Sequence, residues 1–187
     1  MLGLLPRLLH EFVESRADAG AVVEVNELAG LPRDRVYRID ADYHEADFHR
    51  LLRAAGRALD DAPEAVTDEF AAYVFDDFCR RWPAVYEMFS GARDLLEMLP
   101  NVYRAIAAVL LDEDAEELPP VLLCERRERE TVVYCGSGGA PQRFLSSFVD
   151  AVIRHYGDTA SIERLPGSDR AGVSGALVVD WGCATDR

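Results

Sequence analysis

The chain has 187 residues, with 20 Lys+Arg against 34 Asp+Glu, a formal net charge of −14 and 49% apolar residues; every cation is arginine. So acidic a chain offers no basic face for neutralising phosphates and no polybasic patch for an anionic bilayer, which argues against nucleic-acid and membrane partners. No apolar run approaches the roughly 18 residues of a membrane span, and the opening Met1-Leu2-Gly3-Leu4-Leu5-Pro6-Arg7 lacks the basic start and cleavage site of a secretory signal. The expectation is one cytoplasmic domain over 1–187, large enough to bury a real core.

Helices come first. Leu4, Leu5, Leu8, Leu9, Phe12 and Val13 recur at helical spacing. Asp18 to Arg38 contains Gly20, Gly30 and Pro32 and reads as short elements joined by turns. A helix opens at Asp42-Tyr43-His44-Glu45, with Asp42 as cap and Glu45 at the capping-box position, and buries Phe48, Leu51, Leu52, Ala55 and Leu59. Pro63 to Arg81 is the next, with Val66, Phe70, Tyr73, Val74 and Phe78 inward. Ala92 to Leu111 is helical on both sides of Pro100, which is expected to stop or kink it near Leu99 to Asn101.

After the acidic loop Asp112 to Glu117 and Pro119-Pro120 the pattern turns strand-like: Val121 to Glu125, Thr131 to Cys135, Ser161 to Leu165 and Gly175 to Trp181. The charged turn Arg126-Arg127-Glu128-Arg129 makes a hairpin of the first two runs, and a helix from Gln142 to His155 precedes the third. The fold class is α+β: a mainly helical part (1–111), then an antiparallel sheet of about four strands with a crossing helix (112–187).

Motifs that carry chemistry are absent. There is no Walker loop, dinucleotide fingerprint or H-E-x-x-H, and Gly136-Ser137-Gly138-Gly139 reads as a strand-to-helix turn. The histidines (His10, His44, His49, His155) stand far apart, with His10 and His44 expected on exposed helix faces, and Ser146-Ser147 has no spacing that makes a triad. Cys79, Cys124, Cys135 and Cys183 show no C-x-x-C spacing and read as free thiols; Cys124 and Cys135 fall in neighbouring strands, but nothing in their spacing with Cys183 and a histidine argues for zinc. No nucleophile–base pair can be named, so no enzyme is expected.

The order of these elements, with several local strings, resembles the H-NOX family, the haem–nitric oxide/oxygen binding domains, which also occur as stand-alone bacterial proteins of about this length. The strings are Met1-Leu2-Gly3, Glu11-Phe12-Val13, Leu28-Ala29-Gly30-Leu31, Asp42-Tyr43-His44-Glu45, Phe70 to Phe78, Ala92-Arg93-Asp94-Leu95-Leu96, Pro119-Pro120-Val121-Leu122 and Ala176 to Trp181. The resemblance implies haem, a diatomic gas such as NO or O2, and signalling to a separately encoded partner such as a histidine kinase or a diguanylate cyclase.

The resemblance breaks at the cofactor. Where the family carries its iron-ligating histidine, the run Leu99-Pro100-Asn101-Val102-Tyr103-Arg104 sets Tyr103. Where the family grips the haem propionates with Tyr-x-Ser-x-Arg, Tyr134 survives while Gly136 and Gly138 fall on the serine and arginine positions. Each lost charge-assisted or hydroxyl contact is typically worth roughly 1–3 kcal/mol, and a tyrosinate would favour ferric iron over the ferrous state that binds gases. Two readings follow. In one, Tyr103 ligates iron and Arg143 or another arginine stands in for the propionate clamp; in the other, Tyr103 is an aromatic plug and the domain is a haem-independent protein- or small-ligand-binding module.

Overall fold

The computed structural model describes residues 2–112, 122–136, 141–166 and 173–183. Seven helices run in chain order: α1 (Leu4–Arg16), α2 (Ala19–Leu28), α3 (Glu45–Ala58), α4 (Pro63–Arg81), the short α5 (Pro83–Tyr86), α6 (Ala92–Leu111) and α7 (Gln142–Tyr156). The strands are β1 (Leu122–Arg126), β2 (Glu130–Gly136), β3 (Ser161–Pro166) and β4 (Val173–Asp180), in one antiparallel sheet ordered β1-β2-β4-β3. The α+β architecture, the β1–β2 hairpin and the crossing helix α7 are as the sequence indicates. The acidic loop at 113–117 and Pro119-Pro120 lie outside the described residues.

One reading gains detail and two are corrected. The stretch read as short elements joined by turns holds the ten-residue α2, where Asp18 Oδ1 accepts from the Ala21 N–H at 3.0 Å and caps it. Its far end closes where Gly30, at φ 71°, lets Leu31 N–H reach Asn26 O at 2.9 Å and Gly30 N–H reach Glu27 O at 2.9 Å. Asp42 does not cap α3, whose N-cap is His44; it bridges to Leu2 instead. That bridge depends on Gly3, where a Cβ would lie 2.0 Å from Arg38 O and 2.5 Å from the Tyr43 ring.

The second correction is Pro100, which sits inside an unbroken α6. Proline removes the N–H that would bond the carbonyl four residues earlier, that of Leu96. In this fold the Cys124 thiol on β1 donates to Leu96 O at 3.1 Å, so a tertiary contact supplies what the helix lacks.

The core lies where the helices meet one sheet face. Val133, Leu177 and Val179 carry that face, and Phe48, Phe70, Phe75, Leu95, Leu96, Phe144, Phe148 and Val149 close on it. Aromatic rings join α3, α4 and α7: Phe70 lies 5.4 Å from Phe144 and 6.2 Å from Phe48, and Phe75 meets Phe148 edge-on at 5.6 Å.

Candidate functional site

Of the residues that the sequence marks, Tyr103 lies on α6, Tyr134 and Gly136 on β2 and Arg143 on α7. The first half of α6 is bolted to the β1–β2 hairpin. Arg93 donates to the Glu128 and Glu130 carbonyls at 3.3 Å each and to that of Arg127, and pairs with Glu97 at 3.0 Å. Glu97 also takes Arg126 at 2.8 Å, and Trp181 Nε1 donates to Thr131 Oγ1 at 3.0 Å beside it. The first turn of α6 is capped from the end of α7, since Asp158 Oδ2 accepts from Ala92 N–H at 2.7 Å.

Tyr103 stands on the second half of α6 and is half-buried. Its hydroxyl faces the strip where Leu2 bridges Asp42. Burial, then the Asp42 carboxylate, push its pKa above the ordinary tyrosine value, with the Leu2 backbone N–H pulling the other way. At neutral pH the side chain is therefore a neutral phenol. Asp42, which the sequence suggested only as a cap, is the charge that faces Tyr103; no spacing signals this, because the pairing of Leu2 with Asp42 arises only on folding.

Tyr134 is placed elsewhere. Cys124 and Val133 pair across β1 and β2 on the face that meets α6. Strand parity then turns Tyr134 to the opposite face, where its hydroxyl donates to Glu125 Oε2 at 2.8 Å. Gly136 is buried at the end of β2, paired with Val173 beside a β-bulge. Gly138 lies outside the described residues. The sheet thus separates Tyr134 from Tyr103.

Arg143 opens α7 and reaches across to α4. Its Nε donates to Asp68 Oδ1 at 3.0 Å and a terminal nitrogen to Asp68 Oδ2 at 2.5 Å, while Ser147 Oγ donates to Asp68 Oδ1 at 2.5 Å. Burial would raise the Asp68 carboxyl, but these donors outweigh it and hold the pKa below the usual value. Arg143 is a helix–helix tie, committed to a carboxylate of its own chain.

Solved structures define the class of this fold. The chain superposes on an Fe(II) unliganded H-NOX protein from K. algicida with a TM-score of 0.74 at 15% identity, covering 96% of each chain. A mutant Fe(II) H-NOX protein from S. oneidensis matches with a TM-score of 0.72 at 16% identity, over 96% of this chain and 95% of that one. An H-NOX protein designated Cs gives 0.73 at 14%, over 97% of each. The architecture is therefore the H-NOX fold. The Haem-NO-binding family model matches residues 2–164, and the chain belongs to that family. No curated protein matches it in sequence.

Haem is the cofactor that membership implies; of the side chains that the resemblance offers it, Tyr103 and Arg143 are engaged within the chain. Helix α6 carries no histidine. Tyr103 is held as a phenol beside the Asp42 carboxylate. Arg143 is bound to Asp68, and Gly136 has no side chain to grip a propionate. Among the described residues, no three His, Cys, Asp or Glu side chains gather to hold a metal ion, and no helix is long and apolar enough to cross a membrane.

Proposed function

We propose that this chain is a regulatory domain of the Haem-NO-binding family that works without haem, with α6 held in place by protein contacts instead of an iron–ligand bond. Tyr103 carries the reading: at the ligand position stands a protonated hydroxyl directed at Leu2 and Asp42. In this reading α6 remains the element that conveys the signal. The N-terminal strip restrains its second half through Tyr103, and the Arg93–Glu97 cluster fixes its first half to the hairpin. The output is read by a separate cytoplasmic protein, such as a histidine kinase or a diguanylate cyclase, and no chemical turnover is involved.

Family membership itself favours a second reading, gas sensing by haem on Tyr103. Urea unfolding with and without hemin separates the two. A ligand that binds only the folded state at about 100 times its Kd stabilises it by about 2.7 kcal/mol. An unchanged midpoint supports the haem-independent domain; a shift of that size overturns it.

A further inference from the structure

Four buried side-chain polar atoms, His10 Nε2, Asn26 Oδ1, Arg35 Nε and Tyr37 Oη, make no well-formed hydrogen bond among the described residues, although His10 lies beside Asn26 and Tyr37 beside Arg35. All four residues line one cavity of about 460 Å³ between α1, α2 and the loop that follows α2. It is separate from Tyr103 and from the hairpin. Buried polar groups are nearly always hydrogen-bonded, so four such atoms converging on one space call for an explanation.

The polarity of each group can be assigned. Asn26 is only 1% exposed, and its Nδ2 donates to the Arg33 and Arg35 carbonyls at 3.2 and 3.3 Å. Those carbonyls can only accept, so the amide is fixed with Oδ1 as an acceptor turned to His10 and the cavity. Tyr37 is 2% exposed, and burial raises its pKa against the opposing contact from Arg35, so its hydroxyl stays protonated and can still donate into the cavity. The Arg35 guanidinium lies 5.3 Å from the Tyr37 ring and 5.2 Å from the Tyr43 ring and has no carboxylate partner among the described residues. By contrast Arg7 and Arg33, on the same cavity, pair with Glu11 and Glu27 at 3.0 and 3.1 Å. Burial lowers the His10 pKa, with Asn26 opposing, so the neutral ring adapts as donor or acceptor.

Arg35 and Tyr37 therefore want an acceptor bearing negative charge, and Asn26 Oδ1 wants an N–H. Glu11, Glu14 and Asp34 on the same wall disfavour a multiply charged anion such as phosphate and favour an ammonium. Val22 and Val36 add an apolar surface. We propose that this cavity is a binding site for a free α-amino acid with an apolar side chain, its carboxylate on Arg35 and Tyr37 and its ammonium on Asn26. The volume lies in the range of small-molecule sites, about 300–1,000 Å³.

The test is a titration of the full chain with L-leucine, followed by NMR at the Asn26 side-chain amide and the His10 ring. L-leucinamide, which lacks the carboxylate, and isocaproate, which lacks the amine, are the matched controls. Saturable one-to-one shifts with leucine are expected, weakened by about tenfold or more for each control and in Arg35→Gln and Tyr37→Phe. Absence of saturable shifts at about 10 mM leucine, where a Kd near 1 mM would already saturate, overturns the assignment. So does equal binding of either control. The controls use the unaltered protein, so the outcome stands even if a variant fails to fold.

Discussion

Asp68, with Arg143 and Ser147, illustrates how a single carboxylate can redirect a residue. Three donors from α7 converge on it, and the resulting tie between α4 and α7 takes Arg143 away from any cofactor. Asp68 is partly exposed, so solvent screening keeps its contribution modest, and Asp68→Ala is expected to lower the urea-unfolding free energy by about 1 kcal/mol. The sign of its pH dependence follows from the lowered pKa. The stabilisation is complete above the ordinary aspartate value near about 3.9 and is lost as pH falls through the lower folded value. The gap in stability between the native chain and Asp68→Ala should therefore be flat at neutral pH and shrink only in acid; a gap that closes between about pH 7 and 5 contradicts the assignment. Tyr103→Phe removes the hydroxyl directed at Leu2 and should cost about 1 kcal/mol by the same measurement.

Among the elements, α6 depends most on its surroundings. The carbonyl left free by Pro100 is met by the Cys124 thiol, and the hairpin turn is held by the Arg93 guanidinium. Arg93→Ala removes its bonds to three carbonyls, and the Arg127 amide, which bonds Glu130 O at 2.9 Å, should exchange with solvent about tenfold faster. Unchanged exchange there would mean that the hairpin holds itself. These particulars show what the sequence makes legible. Helices α1, α3, α4 and α7 and the four strands are visible because their apolar periodicity is local, and α4 begins and ends where its proline and arginines suggest. The continuity of α6 is not visible, because it rests on a thiol many residues away. Nor is the polar cavity, because His10 reads as an exposed helix residue until the loop after α2 folds back and brings Arg35 and Tyr37 over it. Tyr103 stands out in the sequence only through the family resemblance, its neighbours Leu2 and Asp42 do not stand out at all, and the face that Tyr134 takes emerges only from the strand register.

Across the whole molecule, the helical part and the sheet share one core, and its aromatic centre is the feature on which stability most depends. Phe70 is fully buried among Phe12, Phe48 and Phe144. Phe70→Ala should lose about 3–5 kcal/mol in urea unfolding, and a loss near 1 kcal/mol would show that this centre packs more loosely than described. The acidic, lysine-free composition acquires a more specific meaning here. Any cation offered to a haem must be arginine, yet Arg93, Arg126 and Arg143 are each bound to a carboxylate of the chain itself. On the proposed function, a domain of the Haem-NO-binding family keeps its fold with protein contacts in place of haem. The visible spectrum of the protein titrated with hemin tests this most directly. No saturation and no Soret band of bound haem are expected; one-to-one saturation with a ferric tyrosinate spectrum that disappears in Tyr103→Phe would contradict the haem-independent reading.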